Sequence, residues 1–358
     1  MKHIAIVTTC MASGGAERVI SQLLKYWSSK CKCTLILVKQ REIFYNIPPT
    51  VNLIEIGQQN SNRVIDKLKS YAKIRDNINN INPDVVLAMP EDIGIYTTLS
   101  LIGCRIPIVV SERNDPSVMP NLKITRILRH LAYKFVNGFI FQTKNAMEYF
   151  NKNIKKRGIV LYNPLDLERI PDPYSGRRKK NIVSAGRLTQ QKNFQLLIDA
   201  FSLFYKKYPE YTLTIYGEGE LLEHLKEHSK RFDSYQNIIF PGNSKNLLEV
   251  IKDAEIFVLS SDYEGVPNVL IEAMATGIPV ISTDCKPGGA SALITNHKNG
   301  ILVPTGDIKK LYESMIFLVE NQAIANCYAV NALQIKEQMD AEIISQKWMD
   351  FLIKNCKN

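Results

Sequence analysis

Short runs rich in β-branched residues alternate with longer amphipathic segments along almost the entire chain, and few folds accommodate that rhythm. Parallel strands need a crossover between them and a helix supplies it, so the alternation predicts βαβ units around largely parallel sheets. Strands are expected near residues 3–9, 33–38, 51–56, 84–89, 106–110, 138–141 and 158–161, with helices over 15–28, 63–79, 93–102, 122–135 and 144–151. Strands are expected again near 181–185, 212–216, 237–240, 255–259, 279–283 and 300–303, with helices filling the gaps. A chain of 358 residues exceeds one ordinary domain, so this is two doubly wound sheets rather than one. Between the groups lie Asn163-Pro164-Leu165-Asp166 and Pro171-Asp172-Pro173-Tyr174-Ser175-Gly176, poor in helix or strand formers. The expected division is a first α/β domain over 1–165, a linker over 166–180, a second α/β domain over 181–336 and a helical tail over 337–358. Trp348, Phe351 and Leu352 give that tail enough apolar surface to dock.

Composition excludes several classes. With 45% hydrophobic and 22% charged residues the chain is neither disordered nor fibrous. No apolar run approaches a membrane span, and Met1-Lys2-His3 leads directly into the first strand, so neither a signal peptide nor an anchor is expected. Seven scattered cysteines form no C-x-x-C pair, which fits a reducing cytoplasm better than a disulfide framework. Charge is uneven: residues 1–180 carry 28 Lys and Arg against 14 Asp and Glu, the remainder 17 against 21. A basic first half implies an anionic partner, whether nucleic acid, anionic lipid or phosphorylated substrate. Over 122–135, Ile124, Ile127, Leu128, Leu131 and Phe135 recur at helical spacing among Lys123, Arg126, Arg129 and Lys134. Such a helix either lies on an anionic membrane or turns its apolar face to the core and its basic face to water. Arg177-Arg178-Lys179-Lys180 reads as solvated linker.

Ligands of doubly wound sheets bind at the carboxyl ends of strands, so the loops there carry the functional reading. After the first strand, Ser13-Gly14-Gly15-Ala16-Glu17-Arg18 opens a helix on a glycine pair, where backbone N–H groups can approach an anion. It lacks the dinucleotide G-x-G-x-x-G spacing. In the second half, Arg187 and Lys192 flank the turn Gly186-Arg187-Leu188-Thr189-Gln190-Gln191-Lys192-Asn193, and both can converge on a phosphate; a basic pair on a solvated loop is the plain alternative. The segment Glu264-Gly265-Val266-Pro267-Asn268 leads into a helix over 267–276, with Pro267 at its start, Glu272 in its second turn and Gly277 and Pro279 at its stop. Two carboxylates beside an anion-binding helix start suit a sugar nucleotide, whose hydroxyls donate and whose phosphates accept. Lys286-Pro287-Gly288-Gly289 repeats the glycine pair. No D-x-D triplet occurs and the five histidines lack ligand spacing, so no metal or other cofactor is expected.

Taken in order, Gly14-Gly15-Ala16-Glu17-Arg18, Asn163-Pro164, Gly186-Arg187-Leu188, Lys192-Asn193, the pair Glu264 and Glu272, and Gly288-Gly289 resemble the retaining GT-B glycosyltransferases of family 4 over nearly the whole chain. The resemblance implies two Rossmann-like domains facing a cleft, an acceptor-binding first domain, a nucleotide-sugar-binding second one, and a C-terminal helix that crosses back to the first. It implies that Arg187 and Lys192 hold the donor diphosphate, that Glu272 binds ribose and that Glu264 binds the transferred sugar and supports charge at its anomeric centre. The stretch Gly265, Val266, Pro267 and Asn268 would bind the donor, its backbone N–H groups completing the phosphate cradle together with those of Gly14 and Gly15. Where many relatives carry a histidine that meets the sugar, this chain has Ser111-Glu112-Arg113-Asn114-Asp115-Pro116, making Glu112, Arg113 and Asn114 candidate sugar or acceptor contacts; the run resembles members acting in bacterial surface-polysaccharide assembly. Ala292 stands where relatives often carry an acid.

The expected activity is therefore retaining, metal-independent transfer of a hexose or N-acetylhexosamine from a UDP-linked donor to a lipid-linked oligosaccharide in capsule, O-antigen or exopolysaccharide synthesis. The enzyme would sit at the inner face of the cytoplasmic membrane, its basic first domain on the anionic surface. The rivals are a nucleotide-sugar epimerase or phosphorylase on the same fold and a basic nucleic-acid-binding protein. The last lacks aromatic-basic RNA motifs, and no nucleic-acid partner is expected.

Overall fold

The computed structural model describes residues 1–57 and 64–357; position 63, where the second helix was expected to begin, lies outside the described residues. The chain forms two compact units, one of Met1–Pro164 with Met339–Asn358 and one of Leu165–Gln338. Each is built on a parallel sheet.

In the first unit the strands are β1 (His3–Thr8), β2 (Lys32–Leu37), β3 (Asn52–Glu55), β4 (Val85–Ala88), β5 (Ile108–Ser111), β6 (Gly138–Phe141) and β7 (Gly158–Val160). Their spatial order is β3-β2-β1-β4-β5-β6-β7, all parallel. The chain winds outward from β1 to β3, then returns to place β4 on the other flank of β1. Strand order thus reverses between β1 and β4, where the loops part and leave room for a ligand. β1, β4, β5 and β6 are buried throughout, which is why they read as continuous apolar runs instead of alternating ones.

The helix Ala341–Lys354 belongs to this unit and packs on the helix Gly15–Trp27. Trp348 is fully buried and its Nε1 donates to the Tyr162 carbonyl at 3.0 Å, while Trp27 Nε1 donates to the Ser345 carbonyl at 2.9 Å. Ile344, Met349 and Leu352 enter the same core as Leu23, Leu24 and Leu35. Burying a side chain of that size contributes about 1.5–3 kcal/mol, so the tail is integral to the unit.

In the second unit the strands are β8 (Lys179–Ala185), β9 (Thr212–Tyr216), β10 (Ile238–Gly242), β11 (Ala254–Leu259), β12 (Val280–Thr283) and β13 (Ile301–Val303), in the parallel order β10-β9-β8-β11-β12-β13. Its reversal point lies between β8 and β11. The stretch 166–180, expected as a linker, is instead part of this unit. Arg178, expected to be solvated, donates from its guanidinium to the carbonyls of Lys252 (3.1 Å), Ala254 (3.1 Å) and Gly277 (2.6 Å). Those carbonyls come from two separate stretches of chain, and the forked guanidinium donates to all of them. Lys179 opens β8 and pairs with Asp253 at 2.8 Å.

Candidate active site

In the second unit the two loops at the reversal point meet. Lys192, after β8, forms an ion pair with Glu264, after β11; the two side chains are 12% and 8% exposed. A pair this enclosed holds only if further donors satisfy the carboxylate. Ser261 Oγ donates to Glu264 Oε1 at 2.8 Å, and Gln191 Nε2 reaches Oε2 at 3.4 Å and the Tyr263 carbonyl at 3.0 Å. Backbone bonds close the loops on each other, Asp262 N to Gln191 O and Glu264 N to Lys286 O, both at 2.9 Å. Asn193 takes the left-handed conformation (φ 42°), which costs a non-glycine residue roughly 1–3 kcal/mol. Two side-chain bonds hold it there: its amide donates to Asp262 at 2.7 Å and its carbonyl caps the helix Phe194–Tyr205 through Leu196 N at 3.2 Å.

Arg187 lies in the same turn but is exposed, and its charge acts on Tyr263, whose phenol is pushed up by burial and by Glu264. Gly265 to Asn268 follow at once, and Pro267 occupies the cap of the helix Asn268–Ala275, one place before its expected position inside it. Glu272 is buried in the second turn of that helix. The loop from Lys286 crosses so tightly that a Cβ on Gly289 would stand 1.4 Å from the Gly265 carbonyl oxygen, so only glycine fits. The arrangement offers an exposed guanidinium, an ammonium, a helix start and a fixed carboxylate. It can neutralise a diphosphate and accept from hydroxyls.

The first unit gathers polar groups at its own strand ends. Gly14 caps the helix Gly15–Trp27, and the Glu17 carboxylate folds back over it: a Cβ there would meet Glu17 Oε2 at 2.0 Å. Glu112 does not present itself as a contact. It is buried, accepts from the Tyr133 hydroxyl and faces Arg129 at 3.9 Å, because the helix Lys123–Ala132 turns Arg129 and the adjoining Tyr133 inward. Burial pushes its carboxyl up to about 7, with Arg129 opposing. Arg113 is also buried, which lowers its pKa to about 10 against the pull of Glu91 and Glu17; its Nη2 donates to Asn163 Oδ1 at 2.7 Å. Asn114 is only partly buried. Sequence reading passed over Glu91, Ser261 and Gln191, although all three stand in strand-end loops where a ligand is sought. Arg129 and Tyr133 gave no such signal, since they sit inside a basic amphipathic run.

That run is oriented against expectation for a core helix. Leu122, Ile124, Ile127, Leu131 and Phe135 are 50–64% exposed, whereas Thr125, Arg129 and Ala132 are buried. Lys123, His130 and Lys134 are exposed beside them. Arg126 and Arg129 turn to backbone carbonyls of the preceding loop, Arg126 to Val118 (2.6 Å) and Pro120 (2.8 Å), Arg129 to Pro116 (2.7 Å) and Met119 (2.9 Å). No helix among the described residues is long and apolar enough to cross a membrane.

The family model described as "Glycosyl transferases group 1" matches residues 170–334, which contain both loops of the Lys192–Glu264 pair. Among curated proteins, a Campylobacter jejuni N-acetylgalactosamine-N,N'-diacetylbacillosaminyl-diphospho-undecaprenol 4-alpha-N-acetylgalactosaminyltransferase is 28% identical, the alignment covering 99% of this chain and 100% of that one. The amylovoran biosynthesis glycosyltransferase AmsD of Erwinia amylovora is 25% identical over 98% of this chain and 99% of its own. Anabaena HepE, solved in complex with UDP-glucose, superposes with a TM-score of 0.83 at 18% identity, over 99% of this chain and 100% of that one. With a matched transferase domain, full-length relatives and two parallel sheets that carry their polar loops at the reversal points, the chain is a glycosyltransferase of GT-B fold.

Proposed function

We propose that this enzyme moves a hexose or N-acetylhexosamine from a UDP-linked donor to a lipid-linked saccharide in bacterial surface-polysaccharide synthesis, with retention and without a metal ion. The observation that carries the reading is the enclosed Lys192–Glu264 pair at the reversal point of the second sheet, with exposed Arg187 in the same turn and a helix start immediately beyond. Arg187 and Lys192 supply the positive charge that a departing diphosphate needs, and Glu264 accepts from hydroxyls of the transferred sugar. The bond from anomeric carbon to phosphate oxygen breaks as the acceptor oxygen bonds on the same face, and its proton passes to the departing phosphate. The acceptor class follows the activity of the Campylobacter relative, and the donor base follows the ligand of the Anabaena structure.

The exposed apolar row of the helix Lys123–Ala132, with Lys123 and Lys134 beside it, is the surface that meets the anionic inner leaflet of the cytoplasmic membrane. Cations flanking an apolar stripe match lipid headgroups over acyl chains, which is where the acceptor's prenyl tail lies. The test is a thermal-shift panel of UDP-, GDP- and TDP-sugars, followed by UDP release with and without a prenyl-diphosphate-linked disaccharide. Selective stabilisation by UDP-sugars and acceptor-dependent release are expected. Release that ignores the acceptor points to an epimerase or phosphorylase and ends the proposal.

A further inference from the structure

In the first unit, β4 to β7 each send one polar side chain from the carboxyl end into a single chain of hydrogen bonds. Glu91 follows β4 and opens the helix Glu91–Ser100; Arg113 follows β5, Gln142 follows β6 and Asn163 follows β7. All four are buried, and Glu91 is 1% exposed. Glu91 Oε2 accepts from the Arg113 backbone N–H at 3.1 Å, Arg113 Nη2 donates to Asn163 Oδ1 at 2.7 Å, and the same oxygen accepts from Gln142 Nε2 at 2.8 Å. The remaining oxygen of Glu91, Oε1, accepts from Asn114 Nδ2 at 3.3 Å. The network therefore fixes both ends of the Arg113-Asn114 dipeptide.

That arrangement sorts the three candidate contacts. Glu112 is buried and turned to Tyr133 and Arg129; Arg113 is buried too, its Nη2 on Asn163 and its Nη1 without a partner, whereas Asn114 is only partly buried. Burial raises the Glu91 carboxyl against the pull of the N–H bonds it accepts; in its ionised form it accepts only, and so selects one orientation of the Asn114 amide. The nitrogen faces Glu91. The carbonyl oxygen faces away from it and has no partner among the described residues. Turning the amide over would set two acceptors against each other.

Resting on the reading of the chain as a sugar-nucleotide-dependent transferase, we propose that Asn114 Oδ1 accepts a hydrogen bond from one hydroxyl of a substrate saccharide and sets specificity at that position, with Glu91 as the positioning residue that fixes the amide. The ligand group must be a donor. A phosphate is excluded, since it would bring a second set of acceptor oxygens to Asn114 beside an acidic neighbour. A hydroxyl fits, whether it belongs to the donor sugar or to the acceptor, and the two arms of the test separate those sources.

The experiment measures kcat/KM with UDP-N-acetylgalactosamine and a short-chain prenyl-diphosphate-linked disaccharide, and with monodeoxy analogues of each. For the unaltered enzyme, one analogue in one arm is expected to be poorer by on the order of tenfold to a hundredfold. Asn114→Leu keeps the side-chain shape, loses a similar factor with the parent substrates and no longer discriminates against that analogue. Glu91→Gln frees the amide to turn over and raises KM for the same arm. The double variant Glu91→Gln with Asn114→Asp restores a donor facing an acceptor with an acceptor outward, and recovers most of the loss. Discrimination that survives in Asn114→Leu overturns the proposal, as does a folded double variant no better than Glu91→Gln. Folding is followed by melting temperature, and Asn114→Leu keeps the test open should Glu91→Gln fail to fold. Failure of the underlying reading looks different: the unaltered enzyme would then turn over no UDP-sugar with any acceptor.

Discussion

Lys192 is a position where stability and the proposed chemistry meet. Its ammonium lies against Glu264 in a mostly enclosed site, where Ser261 and Gln191 complete the carboxylate's bonding. Lys192→Ala leaves Glu264 with hydroxyl and amide donors and no counter-charge, an expected loss of about 3 kcal/mol, together with loss of transfer beyond detection. Urea unfolding and UDP release measure the two effects, and full activity in this variant removes the donor site from the second unit. Glu112 permits a prediction whose sign is set by its raised pKa. Its carboxyl stands near 7 when folded and at its ordinary, lower value when unfolded, so the native state holds the extra proton between those limits. That contribution is fully present below the unfolded value and disappears as pH rises through about 7. Glu112→Gln has no such dependence, so its stability should gain on the parent enzyme's from pH 5 to pH 8 by a few kcal/mol, on the order of 1.4 kcal/mol per pKa unit. Parallel urea curves across that range would show the assignment to be wrong.

Among the elements, the helix Lys123–Ala132 is the one whose orientation reverses the usual pattern. Its buried side carries Arg129, and its apolar side faces out. Arginine is tolerated inside because the loop 115–121 offers carbonyls at Pro116 and Met119 that a guanidinium can satisfy. Ile127→Asp with Leu131→Asp should abolish pelleting with phosphatidylglycerol vesicles and shift the melting temperature by no more than a few degrees, because both side chains are at least half exposed. Unchanged pelleting assigns membrane contact elsewhere. The C-terminal helix behaves in the opposite way. Trp348→Ala removes a fully buried ring and its bond to the Tyr162 carbonyl, with an expected cost of about 3–5 kcal/mol measured by urea unfolding.

At the scale of the whole chain, two units of similar build carry different charge. Met1–Pro164 carries 23 Lys and Arg against 11 Asp and Glu, and the exposed apolar helix also lies there, so the charged and apolar parts of the proposed membrane contact would fall in one unit. Nucleotide binding is expected in the other. A ligand selective for the folded state stabilises by mass action, about 2.7 kcal/mol at a hundred times its Kd, and calorimetry with UDP-sugar should show that rise. Transfer rates measured with and without EDTA should agree if, as proposed, Arg187 and Lys192 carry the charge that a metal ion would; a strong loss in chelator would require a cation site in place of that pair.

Much of this was legible in the residues themselves. Apolar runs of strand length separated by amphipathic segments report burial on both sheet faces, a property of local composition, and each strand appears within a few residues of its expected place. That Lys192 and Glu264 stand in loops after strands and that a helix starts after Pro267 was legible for a related reason: strand ends and helix starts carry local signals. What no local pattern contains is which way a side chain turns once distant loops close on it. Arg178 and Arg129 were charges on paper and are carbonyl-bound in the fold, Glu112 is sealed behind Tyr133, and Glu91 acquires its role from Arg113 and Asn114, more than twenty residues further along the chain. Composition and periodicity determined which elements form; the long-range pairing of buried polar groups, each needing a partner from a remote segment, was decided only by the tertiary structure.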